Sequence, residues 1–171
     1  IQGGFLYLEK VYSATFENLY TYGNHAENGG VIYHKGDAQS AFDQSFRVYN
    51  STFLFNTAAT TGGCFYISDI DSVEIGKADN KNNFVANQSN SSAIGDQIGG
   101  GVLFVQNAGN LDISANSFYV NKSASNGGIG IISNISTALR IDNNNFLSNQ
   151  AKAGGAFALT GSFAGGSIEW N

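Results

Sequence analysis

The chain has 171 residues, 42% of them hydrophobic, with 22 Gly, no Pro and 12% charged residues; that suffices to bury one core, and no linker-like stretch divides it. So much Gly, Asn and Ser weakens helices and favours turns, which excludes an ordinary helical enzyme. A net charge of −5 with Arg only at Arg47 and Arg140 leaves no basic stripe to neutralise phosphates, so nucleic acid and anionic membrane surfaces are excluded as partners.

No apolar run nears the length of a membrane span, and the opening IQGGFLYLEK lacks a charged segment followed by an apolar core and a cleavage site. The chain contains no Met, so it reads as a mature or excised portion of something longer. Cys64 has no disulfide partner within the chain, and no Cys/His spacing suggests zinc. No cofactor is expected.

In chain order, Gly-Gly recurs at Gly3-Gly4, Gly29-Gly30, Gly62-Gly63, Gly100-Gly101, Gly127-Gly128 and Gly154-Gly155. The second glycines lie 26, 33, 38, 27 and 27 residues apart, a unit of about 27 with two expanded copies. After each pair comes a strand-like run: FLYLE, VIYHK, CFYIS, VLFVQ, IGIIS and AFALT. A second run of alternating apolar and polar residues follows, as in RVYNSTFLFN, LDISANSFYVN and LRIDNNNFLSN.

Registering the copies on the phenylalanine of the second run yields columns. Phe16, Phe53, Phe84, Phe118 and Phe146 form one; Val11, Val48, Ile113 and Ile141 form another, broken in the third copy by an insertion. Asn56, Asn87, Asn121 and Asn149 stand three residues after the Phe, and Asn82, Asn116 and Asn144 two before it. Like residues at one position of every copy are expected where successive coils pair in parallel about 4.8 Å apart, with rings stacking inside and amides bonding from coil to coil. The expected fold is all-β, a single-domain, single-stranded, right-handed parallel β-helix of about six coils. An antiparallel sandwich is the alternative, but it does not demand matched residues in every copy. The glycine pairs are expected at a tight corner of positive φ where a side chain would strike the next coil.

The pairing of Gly-Gly-apolar with FLFN, FVAN, FYVN and FLSN resembles the repeat of the chlamydial polymorphic outer membrane proteins. That resemblance implies a right-handed, pectin-lyase-like β-helix with a surface-exposed adhesive or structural role, and it carries over no catalytic residue. FENL at Phe16 departs from the pattern, and Ala follows Gly-Gly only in GGAF.

A β-helix can also be a polysaccharide hydrolase or lyase, with carboxylates gathered from adjacent coils near a basic residue. The strongest such pair is Asp69 and Asp71, on one face of an extended segment, with Glu74 nearby. No Arg lies in that coil and no Asp-Asp pair exists, so these read as solvated turn carboxylates and the chain as non-enzymatic. Lys10, Arg47, Asp112 and Arg140 stand six before the Phe column, with Glu74 at the comparable place; Asp112 beside Arg140 and Glu74 between Arg47 and Asp112 make a surface charge row. His34 replaces an aliphatic residue of the first run and reads as a satisfied, partly buried histidine.

Tyr7, Tyr33, Tyr66, Phe104 and Ile131 share a column whose neighbours on both sides are apolar. One face of this strand therefore points outward, as a packing or a binding face for an inserted loop, a subunit or sugar rings. Asn-x-Ser/Thr occurs at Asn50, Asn87, Asn90, Asn121 and Asn134; in a secreted eukaryotic protein Asn90 and Asn134 are the better glycan acceptors, since an inward Asn87 or Asn121 carries no sugar. The loops 36–45, 76–81 and 88–97 are where partner specificity is expected. Closing on GGSIEWN without a cap, the chain is expected to continue its coils or to stack end to end with copies of itself into a filament, as an extracellular structural or adhesive unit.

Overall fold

The computed structural model describes residues 1–93, 95 and 98–168. Among them there is no helix, and every named strand pair is parallel. The chain is a parallel β-solenoid of about five turns: six strands of the first side stack in chain order, Leu6–Glu9, Ile32–Lys35, Phe65–Ile75, Leu103–Ser114, Gly130–Asp142 and Phe157–Phe163. The three longest bend midway and supply the second side as well, where Ser13–Glu17, Ser45–Tyr49 and Gly166–Ile168 join them. The third side stacks Tyr20–Tyr22, Thr52–Leu54, Asn83–Val85, Ser117–Tyr119 and Asn145–Leu147, and the fourth His25–Asn28, Thr57–Thr61, Gln88–Ser89 and Lys122–Ser123.

Four sides need four corners, and each corner turns on a residue with positive φ, except at the first bend of the second coil, where the 36–44 loop takes its place. At the bend between the first two sides stand Lys10, Asp69, Asn107, Asn134 and Gly161; before the third side stand Asn18, Asn50, Gly76, Ala115 and Asn143; after it come Gly23, Phe55, Ala86, Val120 and Ser148. The fourth corner is the first glycine of each pair, as at Gly29 (φ 58°) and Gly62 (φ 62°). The second glycine answers to a different constraint. A Cβ on Gly30 would overlap the Gly63 carbonyl oxygen, and one on Gly63 the Gly101 carbonyl oxygen, so both halves of the pair have the cause expected of them.

Inside, alternate residues of the first side point to the core, as Ile32, Phe65 and Leu103 do, together with Val73, Leu111 and Leu139 of the second. The third side contributes the ring stack: Phe53–Phe84 at 5.0 Å and 9°, Phe84–Phe118 at 4.9 Å and 7°, Phe118–Phe146 at 5.6 Å and 28°. Phe65 meets Phe53 edge-on at 4.9 Å. Phe53, Phe65, Phe84 and Phe118 are wholly buried, and each contributes on the order of 2–3 kcal/mol from area alone.

The first coil corrects the columns. Phe16 pairs with Val48 rather than Phe53, and Thr21 takes the Phe53 position. Val11 leaves the Val48 column, and Thr15 rather than Lys10 stands beside Arg47. The third copy is unbroken, since Ile75 pairs with both Val48 and Ile113; the extra residues 77–81 follow Ile75, and counting back from Phe84 across them misses it.

Candidate functional site

The residues repeated in every coil are spent on holding coils together. Asn56 Nδ2 donates to Asn87 Oδ1 at 3.0 Å, Asn87 Nδ2 to Asn121 Oδ1 at 3.1 Å, and Asn121 Nδ2 to Asn149 Oδ1 at 3.0 Å. Each acceptor oxygen also takes the backbone N–H of the preceding asparagine. Each rung from Asn87 onward donates its other hydrogen to the carbonyl of Phe53, Phe84 or Phe118. Asn24 is a further rung, donating to Asn56 Oδ1 at 2.9 Å. A second ladder runs Ser51, Asn82, Asn116, Asn144. A third, which the sequence reading missed, lies outside at the first bend: Asn134 Nδ2 donates to Asn107 Oδ1 at 3.1 Å and Asn107 Nδ2 to Asp69 Oδ1 at 2.9 Å. Its signal was available, because Asp and Asn are the residues other than Gly that tolerate left-handed corners.

These ladders sort the sequon asparagines. Asn87 and Asn121 are wholly buried with both amide hydrogens committed, which leaves no nitrogen for a sugar. Asn50 is exposed and donates to Asn18 Oδ1 at 2.6 Å. Asn134 is half-buried. Asn90 is exposed on the 88–97 loop, its side-chain Oδ1 accepting from Gln88 Nε2. In that loop Ile94, Asp96 and Gln97 lie outside the described residues, as does the closing Glu169–Trp170–Asn171. The described part runs beside the next two coils: Ser125 Oγ donates to Ala93 O and Asn126 Nδ2 to Gly95 O, each at 3.0 Å, in the first, and Lys152 Nζ donates to Ser92 O at 3.4 Å in the second.

Tyr7, Tyr33, Tyr66 and Phe104 form an outward column of stacked rings, 5.2, 4.6 and 5.0 Å apart and within 12° of parallel. Exposure falls along it from half-exposed Tyr7 to buried Phe104. Burial and the neighbouring phenols push the Tyr33 hydroxyl up to about 12. Because both faces of Tyr33 and of Tyr66 are filled by neighbouring rings, a sugar ring has no face to lie on at those two positions.

Asp69 and Asp71 line one cleft of about 320 Å³ with Asp37, Ser40, Gln44 and Asn107. They are not related by a strand period of two, because Asp69 is a left-handed corner with φ 58°. Both carboxylates are engaged: Asp71 Oδ2 accepts the Gln44 backbone N–H at 2.7 Å, and Asp69 Oδ1 ends the outer ladder by accepting from the Asn107 side-chain amide. No basic side chain lines this cleft among the described residues. Glu74 sits beyond the bend in the charge row, whose register is Arg47, Glu74, Asp112, Arg140. There Arg47 Nε lies 3.7 Å from Glu74, and Arg140 reaches Asp112 at 3.1 Å and Asp142 at 2.5 Å. Burial raises the Asp112 carboxyl despite Arg140, whose own guanidinium is raised by its bonds to Asp112 and Asp142. A second cleft of about 440 Å³ opens beside this row, lined by Lys77, Lys81, Arg140, Glu74, Asp112 and Asp142. Among the described residues no group of three or more His, Cys, Asp or Glu is arranged to hold a metal.

His34 is fully buried, not partly, and it is only half satisfied. Nε2 lies 3.3 Å from the Val11 carbonyl while Nδ1 has no partner in the protein. Burial lowers its pKa against the opposing pull of the Val11 carbonyl.

No family model, curated protein or solved structure matches this chain.

Proposed function

We propose that the protein is a non-enzymatic extracellular β-helix with a structural or adhesive role, of the right-handed, pectin-lyase-like kind that its resemblance to the chlamydial repeats implies. The observation that carries this reading is where the repeated polar residues go: the Asn ladders and glycine pairs are consumed between coils, and the insertions that lengthen some coils fall in the loops 36–44, 77–81 and 90–97. Loops on a rigid scaffold are where partners are selected. The sense of the inner ladder supports end-to-end continuation. Every rung donates toward the next coil, so the Asn149 amide of one copy and the Asn24 carbonyl oxygen of another are a matched donor and acceptor. Of the sequons, Asn90, Asn50 and Asn134 are the positions at which a glycan fits this reading.

Electron microscopy of the material isolated from its source tests it. Filaments with an axial repeat of about 25–30 Å, one subunit of five to six coils, are the expected result; discrete monomers would sink the filament. The acidic cleft of Asp37, Asp69 and Asp71 favours a second reading, a carbohydrate-active β-helix or its sugar-binding relative. Cleavage of an acidic polysaccharide, abolished by Asp69→Asn or Asp71→Asn, would replace the first reading with that one.

A further inference from the structure

On the third side the phenylalanines point inward, and the residue after each points out. Tyr22, Leu54, Val85, Tyr119 and Leu147 therefore stand in one outward column, in register through all five strands. The core does not require an apolar residue here, yet every coil has one. The adjoining corner adds Phe55 and Val120, both at positive φ, where a bulky or β-branched side chain is strained and the equivalent Gly23 and Ser148 are cheaper. Strain retained at an exposed apolar position points to a use for the side chain rather than for the backbone. Tyr22 is 65% exposed, Leu147 57%, Phe55 53% and Val120 50%, with the other three rungs half-exposed.

We propose that this stripe is the docking surface for a second copy of the chain, related by a two-fold axis running along the Asn83–Val85 strand. Three observations select that occupant. No charged residue lies in 20–22, 52–55, 83–86, 117–120 or 145–148, so two copies of a chain carrying −5 meet here without like charges in contact. The area suffices: the exposed parts of these side chains amount to on the order of 500 Å² per copy, about 1,000 Å² for the pair, the lower bound for a specific interface. The order of sizes is self-complementary. Reversing the column about Val85 sets Tyr22 against Leu147 and Leu54 against Tyr119, each large ring on a smaller aliphatic, with Val85 on Val85. The corner column reverses equally well, Phe55 against Val120 and Ala86 on Ala86, and the column before the rings sets Tyr20 against Asn145, Thr52 against Ser117 and Asn83 on Asn83. A two-fold along the solenoid axis instead lays the apolar column on its polar neighbours or sets tyrosine on tyrosine. The contact is isologous and closes at two copies, and it does not depend on end-to-end stacking.

Sedimentation equilibrium of the chain at about 100 µM is expected to give a dimer. Leu54→Lys places two charges against Tyr119 rings and is expected to weaken the dimer at least about tenfold, with the circular dichroism spectrum unchanged. Val85→Cys faces itself across the axis, so mild oxidation should join two copies rapidly, whereas Ala59→Cys, exposed on the fourth side, should not; the buried Cys64 stays out of the reaction. Should Leu54→Lys fail to fold, the cysteine pair alone decides. A monomer at that concentration, a dimer indifferent to Leu54→Lys, or equal cross-linking of the two cysteine variants would overturn the proposal. Larger assemblies that survive Leu54→Lys would report the end-to-end contact instead.

Discussion

His34 occupies an interior position that Leu8, Ile67 and Val105 hold in other coils, and one of its ring nitrogens is left bare. Its lowered pKa has a definite sign in the stability. Above the unfolded value of about 6.5 both states are neutral and nothing is lost; as pH falls through 6.5 toward the folded pKa, the unfolded chain takes up a proton that the folded chain refuses. Unfolding free energy should therefore drop on acidification, by at most about 1.4 kcal/mol per pH unit. Asp112 acts in the opposite sense, since its raised pKa makes the folded carboxyl bind its proton first and gain stability as pH approaches the unfolded value. Urea titrations at pH 7.5 and 5.5 check this: His34→Leu should abolish the loss between them and raise stability at pH 7.5 by about 1 kcal/mol, from the unpartnered nitrogen removed. An undiminished pH slope in His34→Leu would assign the effect to carboxylates. Val120 offers the complementary case. Its φ of 49° costs a β-branched residue about 1 kcal/mol, so Val120→Asn should stabilise the fold by roughly that amount in the same titration while removing part of the outward stripe.

At the scale of the strand and its ladder, Asn87 is the informative residue. Its side chain accepts from the Asn56 N–H and amide and donates to Phe53 O and Asn121 Oδ1, all within the buried interior. Asn87→Ala takes the acceptor from the buried Asn56 backbone N–H and side-chain amide, a loss of roughly 3–5 kcal/mol, whereas Asn90→Ala on the exposed loop should move the urea midpoint hardly at all. Equal effects of the two would mean that water enters the corner and satisfies the groups left behind. This ladder was legible in the sequence because an amide that must bond to its own kind above and below forces the same letter into each coil. The first coil was not legible by that route. Its rung is Thr21 with Asn24, so the ring column that served to register the other coils is missing there, and Phe16 fills the aliphatic column of Val48 and Ile75 instead. The outer ladder of Asp69, Asn107 and Asn134 was missed for a different reason: its demand is for a left-handed corner, which Lys10 and Gly161 also meet, and a backbone requirement spreads over several residue types. The stripe of the third side was readable as five apolar letters after the ring position, but only the inward direction of the rings says which way those letters face.

The whole molecule is a row of coils whose strands pair only with those of their neighbours, so stability is to first order a sum of coil terms and interface terms rather than one indivisible quantity. Phe84 lies between Phe53 and Phe118 at stacking distance, fully buried, while Phe146 stacks on Phe118 and is only half-buried. Phe84→Ala should cost about 3–5 kcal/mol and Phe146→Ala about half that, because the second cavity opens to solvent and keeps fewer lost contacts. The larger consequence is for cooperativity. Removing a central ring weakens the interfaces on both of its sides at once, so the coils before residue 60 and those after residue 100 should unfold as separate units in Phe84→Ala. Hydrogen exchange followed by mass spectrometry reads this directly. In the unaltered chain, protection should peak over Phe65–Ile75 and Leu103–Ser114, which are paired on both edges and buried on their inner face, and fall toward Leu6–Glu9 and Phe157–Phe163. In Phe84→Ala the middle should lose protection before the flanks do. Protection that stays uniform from end to end in both proteins would mean a single all-or-none transition, in which the ladders couple the coils more tightly than nearest-neighbour contacts alone allow.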